Sequence, residues 1–576
     1  MADPFLTVSA RLAPAFAAVA GGPADPVVRP SDRADAQANG AMALAKTVGG
    51  APREVAQRVL DAAGDLSDIV TTELAGPGFI NLVFADAFLE AELASMSRDE
   101  RLGVRTAAEP RTVVVDYSAP NVAKEMHVGH LRSTVIGDSI VRLVGFVGHT
   151  VIRENHIGDW GTPFGMLIEH LVDLGEEEAA HELGVGDLDA FYKDARRSFE
   201  ASEEFKTRAR NRVVALQGGD PETLRLWHTL VSESTKYFNK VYRQLDVLLT
   251  DDDLMGESAY NDLLAPVVER LRTAGLLESS DGAEVVFPEG FTNRDNEPLP
   301  MIVRKADGGY GYSATDLATV IDRVERRGAG SMLYVVGAPQ AQHLQMVEAV
   351  ARKAGWLDDT VEFNHVAFGS VLGSDRKMLK SRSGESIKLA ALLDEAVERA
   401  AAAIAEKNPE MPADERARVA HMVGIGAVKY ADLSGDRVKD YIFDWERMLS
   451  FDGNTAPYLQ YAHARICSIF RRAGVERASV RAVAPVLDDP RERALALRLL
   501  RFDAAVWEAL DTHSPHKLCT YLYDLASDFT SFYEHCPVLK AADSGTRESR
   551  LHLCDVTARV MERGLDLLGI RAPEQM

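Results

Sequence analysis

The sequence predicts an N-terminal α+β domain, a central α/β domain on a parallel sheet with a helical insertion, and a C-terminal all-α helical bundle. Three observations favour this order. A Gly-Pro-Gly turn near residue 77 interrupts an alternating apolar pattern. Two β-branched runs after residue 110 flank an apolar helical pattern. After residue 387 the apolar spacing is almost wholly helical.

Residues 1–108 are the predicted N-terminal domain. Apolar residues at helical spacing predict an amphipathic helix over residues 40–60. The alternating run 73–84 turns at the Gly-Pro-Gly sequence and ends as a strand, because glycine and proline mark tight turns. A further helix is expected over residues 88–96.

Residues 109–386 are the predicted α/β domain. The run 112–118 is short and continuously apolar, which is typical of a strand buried in a parallel sheet. A helix is expected from Gly129, followed by a strand, so this segment is a strand–helix–strand unit. The charged residues 175–300 are a predicted helical insertion. The remaining sheet and helix patterns cover residues 149–153, 332–337, 344–354 and 361–368.

Residues 387–454 are a predicted helical connector, and residues 455–576 are the predicted bundle. Both have long stretches of apolar residues at helical spacing, namely 390–406, 458–472, 492–510 and 552–568.

The formal net charge of −23 argues against nucleic acid as a partner when it is taken alone, because phosphate contacts need lysine and arginine. The distribution of charge weakens that argument. Residues 455–576 hold 16 Lys and Arg and 16 Asp and Glu, so the acidic excess lies upstream. Charge therefore neither establishes nor excludes binding to RNA.

The four cysteines are expected to be buried free thiols, because none has the spacing of a zinc site or a CxxC pair. No metal-ligating residue is predicted. The first residues lack the basic run of a signal peptide, and no apolar stretch is long enough to span a membrane. A cytoplasmic protein without a membrane segment is expected.

The first candidate site is the strand-to-helix junction that ends in His127-Val128-Gly129-His130. A helix N-terminus offers free N–H groups and partial positive charge, which suit a polyphosphate. The imidazoles add donors, and Gly129 lets a flat base approach the backbone because it has no Cβ. An alternative interpretation is a pair of surface histidines at a helix start.

The second candidate site is Lys377-Met378-Leu379-Lys380-Ser381, in a loop flanked by glycines. Two lysines in such a loop can neutralise charge on a departing pyrophosphate. Taken alone, the segment fits a basic surface loop better.

Together, and in this order, the two segments resemble the HIGH and KMSKS motifs of class I aminoacyl-tRNA synthetases. Val128 departs from the first motif and Leu379 departs from the second. Further segments resemble the arginyl-tRNA synthetase family in particular: AKEMHVGHLRSTVIGD, ENHIGDWGTPFGMLI, GYSATDLA, FDGNTAPYLQYAHARI and LGIRAPEQM. The likeness covers nearly the whole chain and is weakest across residues 175–300.

The resemblance implies a Rossmann-type catalytic domain that binds L-arginine through acids and amides. The matching positions are Asp116, Asn121, Tyr312, Asp316 and Gln340. Guanidinium is planar and offers five donors, so a carboxylate can accept two of them side by side. Tyr312 and Asp316 are four residues apart in a helix-like stretch and are expected to meet the guanidinium. Asp116 and Asn121 are expected at the α-amino end.

The resemblance also implies two-step chemistry with ATP, Mg²⁺ and tRNA(Arg). Arginine attacks the α-phosphate of ATP, and the 2′-OH of the terminal adenosine of the tRNA then attacks the adenylate. The family's catalytic positions fall on His127, Gly129, His130, Lys377, Lys380 and Ser381. Its ATP contacts fall on Lys124, His127, His130, His343, Met378 and Lys380. A monomer is expected.

For the tRNA, the resemblance implies that the N-terminal domain contacts its outer corner and that the C-terminal helices bind its anticodon. Aromatic rings can stack on unpaired bases, and arginines can hold phosphates. The candidate residues are Tyr458, Tyr461, His463, Arg465 and Met576. For the two tyrosines, packing between helices is an equally good interpretation.

Two other functions remain as alternatives. One is a related enzyme, either a class I synthetase for another amino acid or a smaller nucleotidyltransferase. The other is a non-catalytic RNA-binding or scaffold protein. The intact histidines and lysines of both motifs disfavour the scaffold, and the segment GYSATDLA disfavours the related enzymes.

Overall fold

A computed structural model of the chain describes residues 3–175, 188–379 and 387–576. The chain divides into two compact units. The first unit contains Met1–Thr106, Phe451–Asp566 and Arg571–Met576, and the second contains Ala107–Ser450 and Leu567–Ile570. The N-terminal α+β part and most of the C-terminal helices therefore belong to the same unit.

The N-terminal part of the first unit packs helices beside an antiparallel sheet with the strand order β1-β2-β4-β3. Its elements are α1 (Pro4–Ala20), β1 (Val28–Pro30), β2 (Ala36–Ala38), α2 (Gly40–Val48), α3 (Pro52–Ala63), β3 (Val70–Ala75), β4 (Phe79–Phe84) and α4 (Asp86–Arg98). The predicted Gly-Pro-Gly turn joins β3 to β4. This part is the expected α+β structure.

The helix predicted over residues 40–60 is instead two helices, α2 and α3. Gly49 and Gly50 lie between them with φ angles of 74° and 100°, which residues with a Cβ rarely adopt. Pro52 then starts α3, where its missing N–H costs no helical hydrogen bond.

The second unit is built on a parallel sheet with the strand order β11-β10-β5-β6. Its elements up to residue 372 are β5 (Thr112–Asp116), α5 (Val128–Phe146), β6 (Thr150–Glu154), α6 (Pro163–Leu174), α7 (Leu188–Ala201), α8 (Glu203–Gln217), α9 (Pro221–Gln244), α10 (Asn261–Thr273), β7 (Glu278–Ser280), β8 (Ala283–Val286), β9 (Met301–Arg304), α11 (Tyr312–Ile321), β10 (Ser331–Tyr334), α12 (Ala341–Lys353), β11 (Glu362–His365) and β12 (Val371–Leu372).

The parallel sheet confirms the Rossmann-type α/β prediction. Val114 of β5 lies opposite Met332 of β10 and Ile152 of β6, so the β-branched run of β5 is central and buried. Helix α5 connects β5 to β6, as expected of a parallel strand–helix–strand unit. A loop of residues 117–127 joins the carboxyl end of β5 to the start of α5.

The insertion contains a feature that its helical pattern did not predict. Besides α7 to α10, it holds β7 and β8, which form a three-stranded antiparallel sheet with β9. These strands are three or four residues long, and only β9 alternates between buried and exposed positions. Runs this short carry too little periodicity to be recognised in a charged segment.

The C-terminal part is helical, as predicted. Its elements are α13 (Leu389–Lys407), α14 (Ala413–Leu433), β13 (Tyr441–Ile442), α15 (Trp445–Met448), α16 (Ala456–Ala473), α17 (Pro490–Leu499), α18 (Phe502–Asp511), α19 (His516–His535) and α20 (Ser544–Leu567). The stretch predicted as one helix over 492–510 is two, α17 and α18, which meet at Leu500 and Arg501. All four cysteines are buried free thiols, as predicted.

Helix α16 illustrates how the sequence sets its ends. Thr455 caps the first turn by accepting a hydrogen bond from the Tyr458 N–H, and Gly474 ends the helix in the left-handed conformation. Within the described ranges, no helix is both long enough and apolar enough to cross a membrane.

Candidate active site

The loop that joins β5 to α5 is held in an uncommon conformation. Ser118, Ala119 and Ala123 all have positive φ angles, of 75°, 48° and 58°. Such conformations cost free energy for residues other than glycine, so neighbouring groups must stabilise them. The Ala123 N–H donates to Ser234 Oγ on α9 at 2.9 Å, and the Ala119 N–H donates to Asn155 Oδ1 at 3.1 Å.

His127 and His130 lie at the start of α5, with ring centroids 4.1 Å apart. Nδ1 of His127 accepts a hydrogen bond from the Gly129 N–H, and Nδ1 of His130 accepts one from the His127 N–H, both at 3.1 Å. Because both Nδ1 atoms are acceptors, the Nε2 atom of each neutral ring carries the proton. Two N–H donors are thus available to a ligand.

Electrostatics keep this pair neutral. Burial, with a smaller contribution from the neighbouring His127, lowers the pKa of His130 to about 3. Burial also lowers the pKa of His127, although Asp189 acts in the opposite direction. The imidazoles therefore act as neutral hydrogen-bond donors near pH 7, not as cations.

The first N–H groups of α5 are not free, contrary to the reasoning from the sequence. The Val128 N–H donates to Ile387 O at 3.1 Å, the Gly129 N–H to His127 Nδ1, and the His130 N–H to His127 O at 2.8 Å. A polyphosphate would therefore meet the imidazole donors before it meets the helix backbone.

One of these hydrogen bonds ties the histidine motif to the chain just beyond the lysine motif. Ile387 follows the lysine segment, and its carbonyl accepts from Val128 between the two histidines. Leu379, within that segment, donates its N–H to Val371 O at 3.1 Å. Lys377 and Met378 are exposed in this loop. Lys380 and Ser381 lie outside the described residues.

Lys124 and the residues of the insertion lie beside the histidines. The Lys124 ammonium is 4.3 Å from the centroid of the Tyr192 ring on α7, a cation–π contact. The Glu125 N–H donates to the carboxylate of Asp189, also on α7, at 3.1 Å. Helix α7 therefore contacts the β5–α5 loop through Tyr192 and Asp189.

Asp116 is committed to a buried ion-pair network at the end of β5. Arg323 is fully buried and donates from Nη2 to Asp116 Oδ2 at 2.7 Å and from Nε to Glu154 Oε2 at 2.8 Å. Asp116 Oδ1 is buried and makes no hydrogen bond to a described residue. Only that oxygen is left to accept from a ligand.

Tyr312 and Asp316 lie on one face of α11, as their spacing predicted. His343 Nε2 is 2.5 Å from Asp316 Oδ2, and the ring of Tyr312 lies edge-on to that of His343, with centroids 4.8 Å apart. Tyr312 is 70% exposed, so its face is available for contact. Gln340 is exposed just before α12, which carries His343, and Asn121 is exposed in the β5–α5 loop.

Sequence reasoning missed an acid next to this group, Glu257. Burial raises the pKa of Glu257 to about 7, with Asp159 and Asp316 adding to the shift and His156 opposing it. Asp159 is itself buried and accepts from the N–H and hydroxyl of Ser258. The segment Asp-Leu-Met-Gly-Glu-Ser carries no motif signal, so only the folded chain brings Glu257 to Asp316.

Nowhere in the described ranges do three or more His, Cys, Asp or Glu side chains form a group that could hold a metal ion. A divalent cation would therefore have no dedicated protein cage in this part of the chain. Mg²⁺ prefers substrate phosphates and water with few carboxylates, which suits a cation that arrives bound to a triphosphate.

Four of the five candidate RNA-binding residues lie on α16 in the first unit, and the fifth, Met576, ends the chain. The Arg465 guanidinium lies over the rings of Tyr461 and Tyr533, at 4.9 and 5.6 Å from their centroids. Tyr461 is 40% exposed, and Tyr458 is half-buried against Tyr523. Tyr461 and Tyr533 share the Arg465 guanidinium, whereas Tyr458 packs against a different ring, Tyr523.

His463 is buried and bonds the chain end instead of facing outward. Its Nδ1 atom lies 3.0 Å from Pro573 O, and burial lowers its pKa. Gln460 Nε2 donates to Arg571 O at 2.7 Å, and Arg471 donates to Glu574 O at 3.1 Å. The segment that ends at Met576 is thus fastened along α16.

Comparisons with known proteins cover the whole of this arrangement. Three family models match: "tRNA synthetases class I (R), catalytic domain" over residues 92–445, "DALR anticodon binding domain" over 459–576 and "Arginyl tRNA synthetase N terminal domain" over 7–84. The chain is 55% identical to an arginine–tRNA ligase of Thermobifida fusca over 100% of both chains, and 50% identical to that of Escherichia coli K12 over 97% of both.

Solved structures agree. The arginyl-tRNA synthetase of Plasmodium falciparum matches with a TM-score of 0.85 and 28% identity over 99% of each chain. That of Thermus thermophilus matches with a TM-score of 0.80 and 26% identity over 99% of this chain and 100% of its own. The chain belongs to the arginyl-tRNA synthetase family, whose members are class I aminoacyl-tRNA ligases.

Proposed function

We propose that this chain attaches L-arginine to tRNA(Arg) with side chains of α5, of α11 and of the loop that contains Lys377–Ser381, called the lysine loop. In the first step the arginine carboxylate attacks the α-phosphorus of ATP and displaces pyrophosphate. In the second step the terminal 2′-OH of the tRNA attacks the carbonyl of the adenylate and releases AMP. The observation that supports this proposal most directly is the hydrogen bond from the Val128 N–H, within the histidine motif, to Ile387 O, six residues beyond the lysine motif.

The ATP step is assigned to neutral donors and to lysines. The Nε2–H groups of His127 and His130 donate to phosphate oxygens, and Lys377 and Lys380 neutralise the charge that develops on pyrophosphate. Gly129 leaves room beside the His127 ring, since an added Cβ would lie 2.8 Å from it. Ser381, Met378, Lys124 and His343 complete the proposed nucleotide contacts.

The arginine site is assigned to the acid and aromatic groups. Asp316 and Tyr312 receive the guanidinium, because a carboxylate beside an exposed ring offers both a charge-assisted hydrogen bond and a stacking face. Gln340 flanks them. Asn121 and the remaining oxygen of Asp116 receive the α-amino group. Free lysine bound in place of arginine would leave the half-buried Asp316 carboxylate without its paired donors, so no editing step is needed.

Mg²⁺ enters this proposal as part of the ATP substrate. When it is bound to the triphosphate it offsets phosphate charge, and the described side chains only bind and orient that complex. We also propose that the protein acts in the cytoplasm as a monomer.

For tRNA we propose two contact regions. The domain formed by residues 1–108 contacts the outer corner, and the bundle formed by residues 455–576 binds the anticodon. Tyr458, Tyr461 and Arg465 meet bases and phosphates directly. Met576 contacts the tRNA as part of the chain end. His463 acts indirectly, because its hydrogen bond to Pro573 O holds the chain end along α16.

The test is ATP-dependent charging of total tRNA with each of the twenty amino acids, combined with the variant Asp316→Asn. Arginine alone should be charged. The variant should raise the KM for arginine about 100-fold, since it removes a charged partner of the guanidinium, and should leave the KM for ATP within about threefold.

The matched control is Asp262→Asn, which removes an exposed acid on α10 and should change neither constant. Charging of another amino acid would overturn the arginine assignment and leave the class I chemistry intact. Absence of any charging by folded protein would overturn the proposed function.

A further inference from the structure

Arg132 is a buried arginine two residues beyond His130 on α5. The residue is 1% exposed, and its guanidinium contacts groups on several sides. Nε donates to Asp432 Oδ1 on α14 at 3.2 Å, and Nη1 donates to Lys439 O at 3.1 Å. The planar group also lies over the rings of Phe368 and Tyr441, at 5.7 and 5.3 Å from their centroids.

The partners of Arg132 flank the strand pair that carries the lysine loop. Tyr441 belongs to β13, which pairs in parallel with β12. The Tyr441 N–H donates to Ser370 O at 3.1 Å, and the Phe443 N–H donates to Leu372 O at 2.9 Å. From β12 the chain passes directly into the loop of Lys377, whose carbonyl accepts from the Gly373 N–H at 2.8 Å.

The approach between these two segments is close. An added Cβ at Gly369 would lie within 2.9 Å of the backbone of Lys439 and Asp440, and the Gly369 N–H donates to Arg437 O. Any shift of the 437–443 segment must therefore move the base of the lysine loop with it. Arg132 is a side chain on the histidine helix that holds this segment.

A buried ion pair is not explained by stability alone. Well-packed apolar residues can often replace such a pair without loss of stability, because desolvation offsets the attraction between the charges. Desolvation accordingly raises the pKa of Asp432 despite the presence of Arg132. What a guanidinium adds is fixed geometry, since its fork and flat faces define the direction of each partner.

We propose that Arg132 is a positioning residue for the ATP step: it fixes the β12–β13 pair, and with it the lysine loop, against the helix that carries His127 and His130. The inference rests on the proposed role of Lys377. Without the guanidinium fork the histidines and Lys377 no longer approach one triphosphate in a single geometry. Misplacement by about 1 Å can lower a rate about 100-fold.

The experiment is a double-mutant cycle on ATP–pyrophosphate exchange, run with tRNA and arginine present. Arg132→Lys keeps the charge and loses the fork and flat face. It should lower kcat/KM for ATP about 10- to 100-fold and change the KM for arginine less than about threefold. Lys377→Ala should lower kcat/KM for ATP by a factor at least about tenfold smaller in the Arg132→Lys background than in the wild type, because the loop is already misplaced.

The matched control is Arg142→Lys, on the same helix and paired with the buried Asp138 at 2.9 Å. Its effect and that of Lys377→Ala should multiply without coupling, and its loss of thermal stability shows what a purely structural defect does. If Arg132→Lys fails to fold, Asp432→Asn takes its place in the cycle, because it weakens the same contact from the other side.

The outcomes separate the two proposals. If Lys377→Ala leaves the wild-type rate unchanged, the proposed role of Lys377 fails and the inference fails with it. If Lys377→Ala slows the wild type and slows the Arg132→Lys variant by the same factor, the proposed function stands and only the inference is overturned. A variant that loses stability as the control does, yet keeps its exchange rate, also overturns it.

Discussion

At the scale of single residues, Glu257 carries the clearest pH dependence. Burial raises its pKa to about 7, and the negative charges of Asp159 and Asp316 contribute in the same direction. In the free enzyme the proton on this carboxyl favours the folded state below about pH 4.5, and that contribution is lost as the pH rises through about 7. A bound guanidinium favours the ionised form, so it reverses the preference.

We therefore expect the KM for arginine to rise as the pH falls below about 7, approaching tenfold per pH unit, because arginine must then displace the proton. Glu257→Gln should flatten this dependence and raise the KM at pH 8. The measurement is the KM for arginine between pH 5.5 and 8.5, with Glu278→Gln, an exposed acid, as the control. An unchanged pH profile in Glu257→Gln would assign the dependence to another group.

Much of the candidate site was predictable at this scale, and the remainder was not for a physical reason. The spacing of Tyr312 and Asp316 predicts their common face, because residues four apart on a helix lie on the same side. The partners of the acids come from distant parts of the chain: Arg323 for Asp116 and His343 for Asp316, with Glu257 as a like-charged neighbour of Asp316. Such pairings depend on tertiary packing, which local sequence patterns do not predict.

At the scale of elements, the β5–α5 loop depends on the insertion. Ser234 of α9 accepts from the Ala123 N–H at 2.9 Å and donates to Leu230 O at 2.8 Å, and both contacts are buried. Ala123 has a φ of 58°, and it precedes Lys124. The hydroxyl thus stabilises an unfavourable backbone conformation next to a proposed ATP contact.

Ser234→Ala would leave the Ala123 N–H buried without a partner, at a cost of about 1–3 kcal/mol. We expect the loop to relax, the KM for ATP to rise about tenfold and the KM for arginine to change little. Steady-state kinetics would measure this. Thr229→Val on the same helix removes an exposed hydroxyl that bonds Arg225 O, and it should be silent. Equal effects of the two variants would mean that α9 is merely destabilised.

The elements themselves were largely predictable. Apolar residues at helical spacing over a long stretch predict a helix, and a continuous β-branched run predicts a buried parallel strand. The failures were of two kinds. Helix boundaries inside long periodic stretches were missed at residues 49–51 and 500–501, where the periodicity continues across the break. The short strands β7 and β8 were missed because pairing across a turn, not local pattern, defines them.

At the scale of the whole molecule, the first unit is one body formed by the two ends of the chain. Arg493 of α17 donates to both oxygens of Asp35, to Asp86 at 2.8 Å and to Phe84 O at 2.8 Å. Arg105 likewise pairs with the buried Asp503 at 2.8 Å. The separate N-terminal and C-terminal domains expected from the sequence are therefore joined by specific ion pairs, and domain limits at residues 108 and 454 stay a prediction.

Because Arg493 holds Asp35, Asp86 and Phe84 O at once, Arg493→Ala should destabilise both ends of the chain together. The guanidinium is 21% exposed and Asp86 is 56% exposed, so the loss should be about 2 kcal/mol, between the values for surface and buried pairs. Hydrogen exchange should become faster in β4 and in α17 alike, while β5 and β10 of the second unit keep their rates. Arg491→Ala, on the same helix and 43% exposed, should change neither region. Faster exchange confined to α17 would mean that the N-terminal sheet is stable without this contact and that the two ends unfold independently.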